Sequence, residues 1–550
     1  MVDFDVVFSK TGELGRYQLF MLILLTLPTC FLNSYGGFSF VFLFYTPKHS
    51  CHVPSAIALN YSAQGLRYSA AECAIELYRN ETLVETTSCS HGWDYDRSVF
   101  RESLITRWDL VCEHGIAPKT VIALCGVATI LGCILFSWMQ DRFGRKICFY
   151  VILLTYIVGV SGSIFMPTLA TYALLRAVAA LTAINSWNVG YIWGLEMVGP
   201  SKRTFASTFT CIIYAVATSS LGGLAYVFND WLELSLVTSL PFLALLSFHW
   251  LVVESPRWQV SRGKTKAAMK SVRTIVRRNG RSMDQNELDH IIGINQTKIK
   301  DSSDQKAGIL DLVRGPELRR KTVLITGVWV GNALVYYAIA FNAENITDNF
   351  YAMYTLQAMV EAPAVLINLF VLNRVGRIWP LFLGMSVGGL CCLLTALPSC
   401  PTALVMLLTV VAKFGICISY IIIYQVASEL FPTVVRGIGN GVCSVIGEGA
   451  NVLMPYVVHT ASVHQDLPMV ILGTIALISA SMCLFLPETR DLHMPETLAE
   501  AELYGKVGIS ALRSHWARLQ GAIRCRAKAS GVPGDTGLAE KTAYPVATDV

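Results

Sequence analysis

Twelve apolar stretches constrain this chain more strongly than any other feature of its sequence. Each has roughly the 20 residues that a helix needs to cross a hydrocarbon core about 30 Å thick. Because backbone groups in lipid must be paired within their own segment, strands are not expected there. The sequence therefore predicts an all-α membrane protein with twelve transmembrane helices. They lie near residues 17–44, 119–139, 148–166, 169–195, 207–228, 236–253, 322–342, 350–372, 379–397, 403–427, 438–459 and 467–486.

Composition supports the same conclusion. The 550 residues are 53% hydrophobic and only 15% charged, and the mean hydropathy is +0.50. Soluble domains are closer to about 25% charged. The first apolar stretch is too long for a cleaved signal peptide and follows the mixed-charge segment MVDFDVVFSKTGELGR. We expect it to remain in the mature chain as the first helix.

The distribution of Lys and Arg between the loops predicts the orientation. Segment 254–321 is strongly basic, whereas loop 45–118 is mostly acidic and neutral. Since basic loops stay on the cytoplasmic side, we expect segment 254–321 and both termini in the cytoplasm of a plasma-membrane protein. The predicted divisions are 1–16 as the N-terminus, 17–253 as a first six-helix half, 254–321 as a linker, 322–487 as a second six-helix half and 488–550 as a tail.

Loop 45–118 carries two further signs of an extracellular position. Its sequons at Asn60 and Asn80 predict N-glycosylation, whereas a sequon at Asn295 falls in the cytoplasmic linker and is interpreted as chance. Four cysteines, which suit an oxidising compartment, predict two disulfides. Four cysteines allow three pairings, and the sequence does not choose between them. They are Cys51, Cys73, Cys89 and Cys112.

Three short charged motifs occur twice at almost one interval. The copies in each pair are 232 to 234 residues apart. The repetition predicts two six-helix halves, the plan of a transporter built from parallel repeats. The pairs are DRFGR at 141–145 with NRVGR at 373–377, EMVGPSKR at 196–203 with ELFPTVVR at 429–436, and ESPR at 254–257 with ETR at 488–490.

These motifs lie at predicted cytoplasmic helix ends and are candidate gating elements. A glycine permits a tight turn between helices, and opposite charges on neighbouring helix ends can form ion pairs that exist only while that side is closed. Each such pair contributes little, so a bound substrate can shift the balance between states. The candidate residues are Asp141, Arg142, Gly144, Arg145, Glu196, Arg203, Glu254, Arg257, Arg374, Gly376, Arg377, Glu429, Arg436, Glu488 and Arg490.

The motifs also resemble those of a known family. DRFGRK resembles the signature between helices two and three of the major facilitator superfamily. GRYQLF, GWDYD, RWDLVC, VESPRW, ELFPTVVRGIGNG and LPETRDL resemble the organic ion transporters of solute carrier family 22. The resemblance spans about residues 11–500. It implies a major facilitator fold with a central cavity that opens alternately to each side.

The resemblance implies which residues select substrates by their charge. Glu448 takes the place of an aspartate in organic cation transporters and of an arginine in organic anion transporters. Val365 stands where anion transporters carry a lysine. An ionised glutamate facing lipid costs about 3 kcal/mol, so a cavity position for Glu448 is favoured. Glu361 is a second candidate substrate carboxylate, although the nearby Pro363 also allows a structural role.

Aromatic residues at helical spacing favour a cation as the substrate. Trp329 and Tyr336 are two turns apart and Trp187 and Tyr191 one turn apart, so each pair shares a helix face. Tyr420 is available from the tenth helix. Aromatic faces attract cations at about 0.5–2 kcal/mol each, although such residues also serve as packing or interfacial residues. The combination predicts a polyspecific transporter of small organic cations.

Lys413 leaves a second interpretation open. It lies in the apolar segment VVAKFGICISYII of the tenth stretch. It can pair with Glu361 or Glu448, which leaves one negative charge for a monovalent cation. It can also bind the carboxylate of a zwitterion such as carnitine, ergothioneine or betaine, which resemble substrates of the carnitine branch of the family. The acidic Glu448 and the intact charge motifs disfavour an anion transporter and a transport-inactive receptor.

Signals for other protein classes are weak. Neither GxxxxGK[ST] nor HExxH occurs in the sequence, so we predict no enzyme activity, cofactor, metal or nucleic-acid partner. The chain ends Ala547-Thr548-Asp549-Val550, which fits the carboxyl terminus that PDZ domains bind. The basic linker is expected to lie near anionic membrane lipids of the inner leaflet.

Overall fold

The computed structural model describes residues 8, 13–64, 66–79, 81–281, 308–347, 349–397, 400–432, 434–490, 495 and 497–503. The sequons at Asn80 and Asn295 and the PDZ-type C-terminus lie outside these residues. The structural statements that follow concern the described residues.

Eleven helical spans of the described residues are long and apolar enough to cross a membrane, and a twelfth has 17 residues. Every predicted apolar stretch falls on one of them, so the predicted helical membrane fold is confirmed. The spans are α1 (Arg16–Leu43), α2 (Cys112–Phe143), α3 (Arg145–Ser163), α4 (Leu169–Glu196), α5 (Pro200–Val227), α6 (Trp231–Trp250), α7 (Pro316–Asn345), α8 (Phe350–Leu372), α9 (Ile378–Thr395), α10 (Thr402–Leu430), α11 (Arg436–Ser462) and α12 (Leu467–Cys483).

Two helix pairs make the most extensive contacts between the first half, α1–α6, and the second half, α7–α12. Helix α5 packs against α8, and α2 packs against α11. Small residues allow the close approach: a Cβ atom on Gly222 would lie 2.2 Å from Thr355 Oγ1, and one on Gly126 would lie 3.1 Å from Val452 Cγ2. The space between these two pairs is therefore enclosed by both halves.

Helix α4 is interrupted between Ala180 and Ala183. A break inside a membrane leaves carbonyl groups that need other donors. The Ala180 carbonyl accepts a hydrogen bond from Thr129 Oγ1 of α2 at 3.1 Å, and the Leu181 carbonyl accepts one from Asn185 Nδ2 at 2.9 Å. Side chains of α2 and α4 thus stabilise the break.

Helices α8 and α11 are interrupted beside prolines, which remove a backbone donor. In α8 the helix Phe350–Met359 ends just before Glu361–Val375, whose third residue is Pro363. In α11 the helix Arg436–Gly449 is followed by a 3₁₀ turn and then by Met454–His459, with Pro455 as its second residue. Both candidate substrate carboxylates therefore lie at helix breaks.

The insertion between α1 and α2 is the part of the chain that departs from all-α structure. It contains the helix Ser55–Ala63 and strands β1 (His49–Cys51), β2 (Arg67–Ala70), β3 (Ala74–Arg79), β4 (Thr82–Ser88) and β5 (Trp93–Tyr95). The order β2-β3-β4 forms one antiparallel sheet, and β1 pairs with β5 in another. We call the end of the bundle that carries this insertion the loop end, and the opposite end, which carries the linker, the linker end.

The disulfides join Cys51 to Cys89 and Cys73 to Cys112. The two-disulfide prediction is confirmed, and one of its three open pairings is selected. The selection follows from the sheets, since Cys51 in β1 pairs with Trp93 in β5, four residues after Cys89. Asn60 lies exposed on the helix of the same insertion.

One segment of α9 matches a catalytic pattern by sequence alone. Gly384-Met-Ser-Val-Gly388 has the GxSxG spacing of a nucleophile elbow, which requires a sharp turn between a strand and a helix. In the structure it is continuous helix. A Cβ on Gly384 would lie 2.6 Å from the Gly415 carbonyl of α10, so Gly384 serves close packing between α9 and α10.

Gly132→Ala should destabilise the first half, whereas Gly223→Ala should not. A Cβ on Gly132 would lie 2.0 Å from the Leu181 carbonyl at the break in α4, and one on Gly223 would meet no atom within 4 Å. Alanine otherwise favours a helix over glycine by about 1 kcal/mol. Melting of the two purified variants in detergent should shift in opposite directions. Equal shifts would contradict close packing at Gly132.

Candidate functional site

Glu448 is held by its own helix and by α10. The glycines beside it allow close contacts, since a Cβ on Gly447 would lie 2.3 Å from Trp329 Cδ1 of α7. The Glu448 side chain is 6% exposed. Its carboxylate accepts hydrogen bonds from Tyr420 Oη at 2.5 Å and from Asn451 Nδ2 at 2.9 Å.

Among the described residues, no Lys, Arg or His side chain forms an ion pair with Glu448. Its hydrogen-bond donors are a phenol and an amide, which stabilise a negative charge without neutralising it. The carboxylate also lies near Cys133 of α2. Glu448 is therefore a buried acid without a cationic partner among the described residues, and it lies where the two halves meet.

Glu361, in contrast, has a cationic partner. The Lys413 ammonium lies 3.4 Å from Glu361 Oε1, and Tyr336 Oη donates to the same oxygen at 2.6 Å. Lys413 is 1% exposed. Of the two pairings that the sequence leaves open, the structure has Lys413 with Glu361.

Lys413 makes two further contacts with Tyr336. Its Nζ donates to the Tyr336 carbonyl at 3.2 Å and lies 3.2 Å from the centroid of the Tyr336 ring. An ammonium over an aromatic face is attracted to the ring quadrupole. The lysine is thereby fixed between a carboxylate and an aromatic ring.

Tyrosines of α7 and α10 form a continuous aromatic surface around both carboxylates. The ring centroids of Tyr336 and Tyr420 are 5.1 Å apart, those of Tyr420 and Tyr424 5.8 Å, and those of Trp329 and Tyr424 4.5 Å. Trp329 is fully buried. Tyr336 and Trp329 thus lie on one face of α7, as the spacing predicts, with Trp329 in the packing behind the tyrosines.

The first half contributes a second aromatic group. Trp187 and Tyr191 of α4 stack with centroids 5.7 Å apart and planes inclined by 8°. Trp187 also contacts Tyr214 of α5 edge to face, at 5.2 Å between centroids. Tyr214 also lies near Tyr336 of the second half. Tyr214 therefore connects the aromatic groups of the two halves.

Sequence reasoning missed Tyr214, Tyr424 and Asn451. Tyr424 follows Tyr420 by four residues, the same spacing that indicated Trp187 and Tyr191. Asn451 follows Glu448 by three residues, which also places it on the same helix face. For Tyr214 no local pattern was available, because its role depends on how α5 lies against α7.

The loop end of the site is closed by aromatic contacts between the halves. Phe38 of α1 stacks on Tyr337 of α7 at 5.4 Å between centroids, and Phe42 of α1 meets Tyr354 of α8 at 4.9 Å. Tyr424, on the linker side of Tyr420, is 44% exposed. The aromatic surface is therefore more exposed on its linker side than at Tyr336, which is 6% exposed.

The charge motifs of the first half converge at the linker end. Arg145 Nη2 lies 3.1 Å from Glu196 Oε1, and Arg145 Nη1 lies 3.4 Å from Asp141 Oδ1. Glu254 accepts hydrogen bonds from the backbone N–H groups of Arg145 and Lys146, both at 3.1 Å. A carboxylate at a helix N-terminus accepts hydrogen bonds from N–H groups that have no partner within the helix, and its negative charge is attracted to the positive end of the helix dipole. Burial nevertheless raises the pKa of the Glu254 carboxyl, and those N–H groups counteract the rise.

The second half repeats these contacts. Arg377 Nη2 donates to Glu429 Oε1 at 3.3 Å. Glu488 accepts hydrogen bonds from the backbone N–H groups of Arg377 at 2.9 Å and Ile378 at 3.1 Å. The motifs that recur in the sequence therefore occupy equivalent positions, at the starts of α3 and α9.

The observed ion pairs differ from the sequence interpretation in one respect. Each joins helices of the same half: Arg145 with Glu196 links α3 to α4, and Arg377 with Glu429 links the start of α9 to α10. Pairs of this kind stabilise the packing of helices within one half. The physical reason is that the partners lie on neighbouring helix ends of one repeat.

The other motif residues occupy varied surroundings at the same end. Arg436 Nε donates to the Phe431 carbonyl at 3.2 Å, and Arg490 Nη1 donates to the Arg374 carbonyl at 2.5 Å. Arg257 lies 5.7 Å from the centroid of the Phe8 ring. Three further arginines complete the set: Arg142 and Arg374 are exposed, and Arg203 begins the long helix of α5.

Two glycines provide the turns that seat the motif carboxylates. Gly144 has φ +107° and Gly376 has φ +104°, a region that is nearly restricted to glycine. A Cβ on Gly144 would lie 2.3 Å from Glu254 Oε2, and one on Gly376 would lie 2.8 Å from Glu488 Oε2. The turn and the carboxylate position therefore depend on each other.

Comparison with known proteins agrees with this architecture. Residues 115–498 match the family described as Sugar (and other) transporter. The inward open structure of the xylose transporter XylE from E. coli superposes with a TM-score of 0.63 at 14% identity, covering 89% of this chain and 100% of XylE. The fold is that of the major facilitator superfamily.

Similar sequences identify the branch of the family to which the chain belongs. The Beta-alanine transporter of Drosophila melanogaster is 32% identical over 91% of this chain and 89% of its own. Organic cation transporter 1 of Caenorhabditis elegans is 31% identical over 92% and 89%, and human Solute carrier family 22 member 2 is 28% identical over 90% and 95%. The chain belongs to the sugar (and other) transporter family and, within it, to the organic ion transporters of solute carrier family 22.

Gly144→Ala should destabilise the protein more than Gly263→Ala. Both positions have positive φ, but Gly263, at +71°, has no atom within 4 Å of an added Cβ. Gly263→Ala therefore adds backbone strain of about 1–2 kcal/mol, whereas Gly144→Ala also displaces the Glu254 carboxylate from the start of α3. Melting in detergent should show the larger loss for Gly144→Ala. If Gly263→Ala were equally damaging, the carboxylate contact would not matter.

Proposed function

We propose that this protein carries small organic cations across the plasma membrane by alternating access. The loop end faces the outside, and the linker and both termini lie in the cytoplasm. The disulfide-linked insertion and the basic linker support this orientation. Membrane lipids at the linker and a PDZ domain at the C-terminus remain proposed partners.

The observation that carries the proposal is the buried position of the Glu448 carboxyl beside Tyr420 and Asn451. Lys413 neutralises Glu361, while Glu448 has no cationic partner among the described residues. A buried charge without a partner is costly, so a protein retains one where a ligand supplies the opposite charge. A monovalent organic cation meets that requirement.

The aromatic surface supports the breadth of the proposed substrate range. Tyr336, Tyr420 and Tyr424 form a run of neighbouring rings in the second half, with Tyr420 bonded to Glu448, and Trp187 and Tyr214 are in contact in the first half. Aromatic faces attract cations without demanding one hydrogen-bond geometry. Cations of different shapes can therefore share the site.

A zwitterion is the second candidate substrate, and relatives favour it. The similar Beta-alanine transporter and Organic cation/carnitine transporter 2 are named for zwitterions. Lys413 would have to leave Glu361 at 3.4 Å to bind a carboxylate. Because that exchange breaks a buried ion pair, we propose the cation as the primary substrate.

The charge motifs are proposed to hold each half rigid during the cycle. Arg145, Glu196 and Glu254 tie α3, α4 and the end of α6 together, and Arg377, Glu429 and Glu488 do the same in the second half. The interfaces of α2 with α11 and α5 with α8 are then the places where the halves rotate against each other. Substrate contact is not assigned to these residues.

Glu448→Gln should weaken cation transport selectively. The variant keeps the size of the side chain and one of the two acceptor oxygens that Tyr420 and Asn451 use, and it removes the counter-charge. Since a contact with a charged group contributes about 1.5–3 kcal/mol, KM for labelled tetraethylammonium should rise about tenfold or more at equal surface expression. Glu448→Asp, the matched control, keeps the charge and should retain most of the affinity. Unchanged KM in Glu448→Gln would contradict the proposal, and binding without accumulation in vesicles would favour a receptor.

Asn60→Gln should alter glycosylation if the loop end faces outside. The wild-type band should become lower and sharper after glycosidase treatment, and Asn60→Gln should reduce that change. Asn295→Gln, at the linker sequon, should behave like the wild type. The proposed orientation is contradicted if surface-labelled protein shows no glycosidase shift or if the Asn295 change removes it.

A further inference from the structure

The Lys413 ammonium occupies the kind of position that a bound organic cation would take. It lies 3.4 Å from the Glu361 carboxylate and 3.2 Å from the centroid of the Tyr336 ring. Glu448 has the same combination of groups: a carboxylate with the aromatic side chain of Tyr420 beside it. The site therefore contains two similar cation positions, one of them filled by the protein itself.

We propose that Lys413 is a built-in cation that sets the charge of the substrate. The inference rests on the proposed function and extends it: the preferred ligand carries the charge that balances Glu448, Glu361 and Lys413 together. In the wild type these groups leave one negative charge, which selects a monovalent cation. Lys413 is therefore a specificity-determining residue, and Glu361 is its positioning residue.

The physical reason is the cost of enclosing unbalanced charge. Glu361 and Glu448 are each 6% exposed, and Lys413 is 1% exposed. During alternating access the ligand and these groups are sealed together from water, where an uncompensated ion is strongly disfavoured. The complex of site and ligand is thus most stable when its total charge is zero.

A purely structural ion pair predicts something different. Lys413 and Glu361 would then matter only for folding, and removing them would change the amount of folded protein without changing which ligands bind. Lys413 contacts Tyr336 twice, through its carbonyl and its ring. Tyr336 is in turn 5.1 Å from Tyr420 between centroids, so the lysine lies next to the groups around Glu448 and its charge acts on a ligand there.

Three variants separate the two accounts by changing the charge of the site. Lys413→Met leaves two negative charges, Glu361→Gln leaves none, and the double variant restores one. The probes are tetramethylammonium, a series of bis-trimethylammonium alkanes of increasing length, and the zwitterion betaine. Binding to each purified protein is measured directly, so the affinities of variants that transport slowly can still be compared.

The expected preferences follow the charge of each site. Relative to tetramethylammonium, the best dication should gain about tenfold or more in Lys413→Met, and betaine should gain about tenfold or more in Glu361→Gln. The double variant should regain the wild-type order. Glu361→Gln keeps both Tyr336 contacts of Lys413, so this comparison stands even if Lys413→Met fails to fold.

The outcomes distinguish this inference from the proposed function. An unchanged order of ligands in Glu361→Gln and in any folded Lys413→Met overturns the role of Lys413, even while Glu448→Gln still weakens cation binding. Unchanged tetramethylammonium affinity in Glu448→Gln overturns the proposed function instead. Failure of the double variant to restore the wild-type order also overturns charge balance as the explanation.

Discussion

The rest of this site depends on an acid that the protein buries without a cationic partner among the described residues. Glu448 receives hydrogen bonds from Tyr420 and Asn451, which orient the carboxylate and lower the cost of removing it from water. Neither donor carries a positive charge, so part of that cost remains. Tyr420 and Asn451 thus fix the position of the acid, and Tyr420 also belongs to the aromatic surface around it.

Helix breaks explain how two carboxylates reach the centre of an apolar bundle. In a continuous helix every interior N–H group donates to a carbonyl of the same helix. The breaks beside Pro363 and Pro455 interrupt this pattern next to Glu361 and Glu448. Membrane transporters commonly build binding sites from such interrupted helices. The repeated carboxylate positions of Glu254 and Glu488, which hold the starts of α3 and α9, give each half the rigidity that the breaks alone would reduce.

Contacts between the halves differ in kind from the ion pairs within each half. The loop end is closed by aromatic packing such as Phe38 on Tyr337. Packing of that kind can separate without leaving buried charges unpaired, while the ion pairs of Arg145 and Arg377 remain within their own halves. Rotation of two rigid halves around a site between them is consistent with both observations.

Local patterns in the sequence determined the twelve spans, the repeat and the aromatic pairs, because apolar length and helical spacing depend on residues close together in the chain. Only the tertiary structure decided that Lys413 pairs with Glu361, that Cys51 bonds to Cys89, and that Arg145 stays within its own half. Each of these choices depends on which helices or strands become neighbours and how they are rotated. Tyr214 was missed for the same reason, since a side chain that bridges two halves has no signature in either one.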